Sequence, residues 1–117
     1  MPRSVAAYLA DIVEACDAID AVLEGIDLAA YLNRRAVRSS VEREFILIGE
    51  AVAGLRRLAP KLAAGITDAR VIIGFRNVLT HEYAAVDDDA VYGVATEDLA
   101  ALRRECADLL ARVDSTE

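Results

Sequence analysis

The chain has 117 residues, of which 56% are hydrophobic and 5% aromatic, with thirteen basic and twenty acidic side chains and a formal net charge of −7. This is one domain's length with enough apolar material for a core, and it is too apolar for a disordered segment. No apolar run reaches membrane-span length, and the acidic total excludes a uniformly basic nucleic-acid binder, although not a local basic patch. Met1 to Leu9 lacks the charged start and long apolar stretch of a signal peptide, which points to a cytoplasmic protein. With no internal repeat, low-complexity tract or linker rich in Pro, Gly or Ser, a single domain over residues 1–117 is expected.

The elements read as helices from one end to the other. Ser4 is a plausible N-cap, followed by Val5, Leu9, Ile12, Cys16, Ile19 and Leu23 at alternating steps of three and four, with Gly25 where a helix-ending glycine belongs. A second stripe runs through Val37, Val41, Phe45, Ile48, Val52, Leu55 and Ala59, and Pro60 stops it. Thr67 and Asp68 open a third helix through Val71, Ile72, Phe75 and Leu79. The fourth stripe is Val91, Val94, Leu99, Leu102, Cys106, Leu109 and Val113, with Asp88 or Asp89 as its cap and a kink at Gly93 or Thr96. No segment alternates with period two for long enough to argue a strand, so the fold class is all-α with four main helices.

The second helix is apolar on every side at Phe45, Ile46, Leu47 and Ile48, so it must be covered all round. That requires a central place in the bundle or a second chain on its outer face, and a homodimer is favoured. Gly49 and Gly54 each cost about 1 kcal/mol in a helix interior, which close helix–helix approach would offset. Cys16 and Cys106 fall on apolar stripes and form no C-x-x-C pair, so they read as buried thiols and not as a metal site or disulfide. Asp87, Asp88 and Asp89 read as a loop and helix cap rather than a Mg²⁺ site.

The net charge is unevenly distributed. Residues 1–33 hold six acids and one base, residues 34–81 nine bases and four acids, and residues 82–117 ten acids and three bases. The middle segment therefore carries +5, from Arg34, Arg35, Arg38, Arg43, Arg56, Arg57, Lys61, Arg70 and Arg76. It is either a solvated face paired internally with the acidic helices or a surface that follows phosphates.

His81 is the only histidine. It closes the run Arg76-Asn77-Val78-Leu79-Thr80-His81, with Glu82 and Tyr83 beyond. On a helix, Arg76, Thr80, Asn77 and His81 occupy the side opposite Ile72, Phe75 and Leu79, with Asn77 between the guanidinium and the imidazole. Arg76 and His81 stand about 140° apart on an ideal helix, so they meet one substrate only if the helix bends or ends near His81, or if a cleft wraps around it. Metal-independent RNA cleavage requires a base for the ribose 2′-OH, an acid for the 5′-oxygen and a cation for the phosphorane charge, and His with Arg supplies these. One chain has one histidine, so a two-histidine mechanism needs two copies. The ordinary alternative is a helix-end histidine and an arginine paired with a neighbour such as Glu50.

At these residues the sequence resembles the HEPN superfamily, specifically the HepT-like toxins of prokaryotic toxin–antitoxin modules. The family's R-x4-H-x-Y is matched by Arg76, His81 and Tyr83, and the polar residue after its arginine by Asn77. Ile48-Gly49-Glu50-Ala51, Ile73-Gly74-Phe75-Arg76-Asn77 and Tyr83-Ala84-Ala85-Val86-Asp87 resemble family segments in the same order, so the likeness covers nearly the whole chain. Val91-Tyr92 stand where a tryptophan is common, a departure that bears on packing. The resemblance implies an antiparallel HEPN helical bundle that dimerises to set two motifs along a shared cleft. It also implies a metal-independent endoribonuclease without cofactor, with Arg76 and His81 catalytic and Asn77 supporting them. The implied partners are RNA and a minimal nucleotidyltransferase antitoxin, which transfers AMP to the tyrosine matched by Tyr83 and can build a larger complex with the toxin. A HEPN module that binds nucleotide or a nucleotidyltransferase without cutting RNA is the alternative.

Overall fold

The computed structural model describes residues 3–115, apart from the side chains of Tyr83 and Ser115. All regular structure among them is helical: α1 (Val5–Leu23), α2 (Leu28–Asn33), α3 (Arg35–Leu58), α4 (Pro60–Ala63), α5 (Ala69–His81), a 3-10 turn at Tyr83–Ala85, α6 (Asp88–Glu97) and α7 (Leu99–Ser115). The main packing runs α7 on α1, α1 on α3 and α3 on α5, with α2 and α6 closing one end. The all-α fold expected from the periodicity is therefore present, as a HEPN-like bundle of the kind the resemblance implies, and α3 packs between α1 and α5.

Local chemistry sets the helix ends. The Ser4 hydroxyl accepts from the Ala7 N–H at 3.1 Å, and Gly25 takes a φ of +73° just past α1. Asp27 caps the short α2 by accepting from the Ala30 N–H at 2.8 Å. Pro60 ends α3 as expected but also begins α4, where its missing N–H costs no helical bond. The α6 cap is Asp87, not Asp88 or Asp89: its carboxylate accepts from the Asp89 and Ala90 N–H groups at 3.0 and 3.3 Å. Asp88 and Asp89 occupy the first turn, where negative charge faces the positive end of the helix dipole. The expected fourth helix is two helices, divided at Asp98 and not kinked at Gly93. The Thr96 hydroxyl donates back to the Tyr92 carbonyl at 2.9 Å, a bond that loosens a helix two residues ahead of the break.

The buried side chains form one cluster, including Leu9, Ile12 and Ile19 of α1, Val41, Ile48 and Leu55 of α3, and Leu102 and Leu109 of α7. The two α3 glycines mark close approaches. A Cβ on Gly54 would lie 2.5 Å from the Tyr8 ring of α1, and one on Gly49 would lie 2.6 Å from the Arg76 Cγ of α5. Phe45 and Phe75 meet edge to face at 5.1 Å across the same α3–α5 seam. Tyr92, at the position of the departure from the family pattern, packs on Tyr31 at 5.3 Å and donates to the Ile26 carbonyl at 2.7 Å. It thereby fixes α6 to the loop after α1. The ring of apolar residues on α3 is covered only in part: Phe45 and Ile48 are buried, but Leu47 is 37% exposed beside α1.

Cys16 and Cys106 are fully buried, and burial pushes both thiols up to about 12, with each other's proximity adding to the effect on Cys16. A raised thiol value means the neutral, unreactive form at ordinary pH. A thiol reagent at pH 8 is therefore expected to label neither cysteine in the folded protein and both in denaturant. Rapid labelling of the folded chain would contradict this packing.

Candidate active site

Helix α5 begins without a side-chain cap of its own. The Glu105 carboxylate of α7 instead anchors the residue before the N-cap, accepting from the Thr67 N–H at 3.2 Å and from the Thr67 hydroxyl. Ile72, Phe75 and Leu79 then hold α5 against the rest of the fold, with Leu79 buried and Ile72 and Phe75 half-buried. Val71 departs from the stripe, being 69% exposed.

This anchoring leaves the opposite side of α5 free. Asn77, Thr80 and His81 are exposed and Arg76 is half-buried. Gly49 presses on the Arg76 stem, so the side chain leaves the seam in a fixed direction. The Arg76 Nε–H donates to the Asn77 Oδ1 at 2.9 Å, which orients the guanidinium while its terminal nitrogens stay available. The alternative pairing of Arg76 with Glu50 is not adopted. His81 is the last residue of α5, so Arg76 and His81 share one continuous helix. The Thr80 hydroxyl donates to the Arg76 and Asn77 carbonyls at 3.0 and 3.3 Å, bracing that last turn. The helical spacing places Thr80 in this polar sector but does not reveal its bracing role, which depends on the hydroxyl turning back to the α5 carbonyls. The Tyr83 backbone lies in the 3-10 turn two residues past the end of α5, and its side chain lies outside the described residues.

The surrounding charge is largely unneutralised. Of the nine bases in the middle segment, only Arg38 has a carboxylate within 4 Å among the described residues, Asp88 at 3.7 Å. The other two ion pairs, Arg3–Asp11 and Arg103–Asp17, belong to the acidic segments. The basic stretch is thus not an internally paired face. Among the described residues no three His, Cys, Asp or Glu side chains gather to hold a metal ion, and no helix is long and apolar enough to cross a membrane.

Comparison with known proteins gives this geometry a family. Three proteins of Methanocaldococcus jannaschii, named "Putative RNase MJ1380", "Putative RNase MJ1216" and "Putative RNase MJ0125", are 26%, 24% and 27% identical to the chain. The alignments cover 88%, 98% and 88% of this chain and 94%, 94% and 88% of the relatives. No solved structure matches the chain. Residues 12–109 match the Ribonuclease HepT-like family, and the chain belongs to that family.

Proposed function

We propose that this protein is a metal-independent endoribonuclease, that it acts as a homodimer, and that Arg76 and His81 carry the chemistry. What supports the reading is the Arg76 guanidinium, oriented by Asn77 on the turn that ends in His81, in a chain of a ribonuclease family. One His81 takes the proton of a ribose 2′-OH as its oxygen attacks phosphorus. The P–O5′ bond breaks, and the His81 of the second copy gives a proton to the departing oxygen. Arg76 binds the non-bridging oxygens, where charge accumulates in the transition state. The products are a 2′,3′-cyclic phosphate and a free 5′-hydroxyl. The dimer would also cover the half-exposed Leu47 or the exposed Val71, and a solution mass of twice the 12.6 kDa chain is expected. A monomeric mass at working concentration would count against the two-copy mechanism.

The regulatory part of the proposal concerns Tyr83. A minimal nucleotidyltransferase antitoxin adds AMP there, placing negative phosphate and bulk two residues beyond His81, where it repels and obstructs RNA. Coexpression with a nucleotidyltransferase encoded beside this protein is expected to add AMP mass to the peptide containing Tyr83 and to silence cleavage. A Tyr83→Phe variant is expected to escape both effects. Absence of the mass increase after coexpression would contradict this regulation while leaving the cleavage chemistry untouched.

A further inference from the structure

The α3–α5 seam that holds Arg76 continues past it. Seven residues beyond Gly49, two turns along the same face of α3 and about 10 Å further, stands Arg56. Six residues before Arg76 on α5 stands Arg70. These two arginines border one open cleft of about 470 Å³, closed on another side by Pro60. Neither has a carboxylate within 4 Å among the described residues, although Asp68 also borders the cleft.

Arg70 belongs to the same exposed line of α5 as the site. Arg70, Gly74, Asn77 and His81 follow at steps of four, three and four and are all exposed. Gly74 has no intramolecular reason to be glycine: a Cβ there would meet nothing within 4 Å. Its missing side chain instead leaves the helix backbone open between Arg70 and His81, so an extended strand can lie close along the face.

We propose that Arg56 and Arg70 form a second phosphate subsite, which grips the RNA backbone at a nucleotide away from the scissile bond while the strand passes over Gly74. This inference rests on the ribonuclease reading of the Arg76–His81 site. Guanidinium forks bind phosphate oxygens in pairs and read no base, so the subsite contributes affinity and register without sequence preference.

The test compares wild type with the Arg56→Ala/Arg70→Ala double variant on two substrates. One is a dinucleotide, whose single phosphate is the scissile one, and the other a single-stranded RNA of about a dozen nucleotides. On the longer RNA the variant's KM is expected to rise about tenfold with little change in kcat. Its slope of log affinity against log salt is expected to fall by about 1.4, roughly 0.7 for each lost phosphate contact on a single strand. On the dinucleotide the deficit is expected to disappear, and Asp68→Asn is expected to lower KM on the longer RNA. An unchanged KM and salt slope would overturn the subsite and leave the ribonuclease reading standing. Equal losses on both substrates, or a changed oligomeric mass, would show a structural or interface role and also overturn it. If wild type neither cuts nor binds the longer RNA, the ribonuclease reading fails and the subsite fails with it.

Discussion

Replacing His81 or Arg76 with alanine is expected to abolish RNA cleavage while leaving the fold intact. Removal of a general acid–base costs about 10²- to 10⁴-fold and removal of a transition-state charge partner about 10²- to 10³-fold. In the proposed dimer each substitution removes both copies of the group. His81 is exposed, whereas the half-buried Arg76 packs its stem on Gly49. The expected change in stability is within about 0.5 kcal/mol for His81→Ala and somewhat larger for Arg76→Ala, which also loses the stem packing, both checked by thermal melts. Arg76→Lys is not expected to rescue activity. A point ammonium cannot donate to the Asn77 Oδ1 and present a paired fork to phosphate together. Full cleavage by His81→Ala would remove the assignment of the histidine.

The second large effect concerns a residue that never touches RNA. Gly49→Ala would drive a methyl into the Arg76 Cβ and Cγ, stem atoms that cannot swing away without moving α5. Overpacking of this kind costs about 1–3 kcal/mol. The expected outcome is a lowered Tm together with a loss of cleavage larger than the unfolded fraction explains, because the guanidinium is displaced. Gly54→Ala supplies the comparison. Its new Cβ meets the Tyr8 ring at 2.5 Å, on the α1 side of the same helix and away from Arg76. It is expected to lower Tm by a similar amount while the folded protein keeps its specific activity. Equal specific activities for the two variants would show that Gly49 serves packing alone.

Much of this architecture was legible in the residues, and the exceptions have physical causes. The Ser4 cap, the Gly25 end of α1 and the Pro60 stop all rest on local chemistry, and local chemistry decided them, whereas the start of α5 is held from outside by Glu105 of α7. The division between α6 and α7 was hidden because Ala95 and Leu99 keep the four-residue step across Asp98, so the apolar phase continues through the break. Helix α2 is six residues long, too short for periodicity to register, although Asp27 stood in place to cap it. Val71 fits the α5 stripe by angle but is 69% exposed at the rim of an open cleft, which spacing alone cannot reveal.

The site was half legible. A lone histidine five residues after an arginine, with an amide between them, announced the groups, and helix geometry announced that they diverge by about 140°. The Arg76–Asn77 bond, which orients the guanidinium, was not readable from spacing. The sequence could say that Gly49 bought close approach, but not that the approaching group was Arg76. The partner that faces an interior glycine belongs to another element. The charge reading sharpened in the same way: the basic stretch could have been neutralised by the acidic helices, and among the described residues Arg38–Asp88 is the one such pair.

The central claim is that this chain cuts RNA through its own side chains, and product chemistry tests it most directly. The unmodified protein should be incubated with single-stranded RNA in excess EDTA and the fragment ends read by mass spectrometry. Cleavage is expected to leave 2′,3′-cyclic phosphate or 3′-phosphate on one fragment and a 5′-hydroxyl on the other, and to be absent with His81→Ala. No cleavage, or cleavage only with a divalent cation and leaving 3′-hydroxyl and 5′-phosphate ends, would contradict the claim.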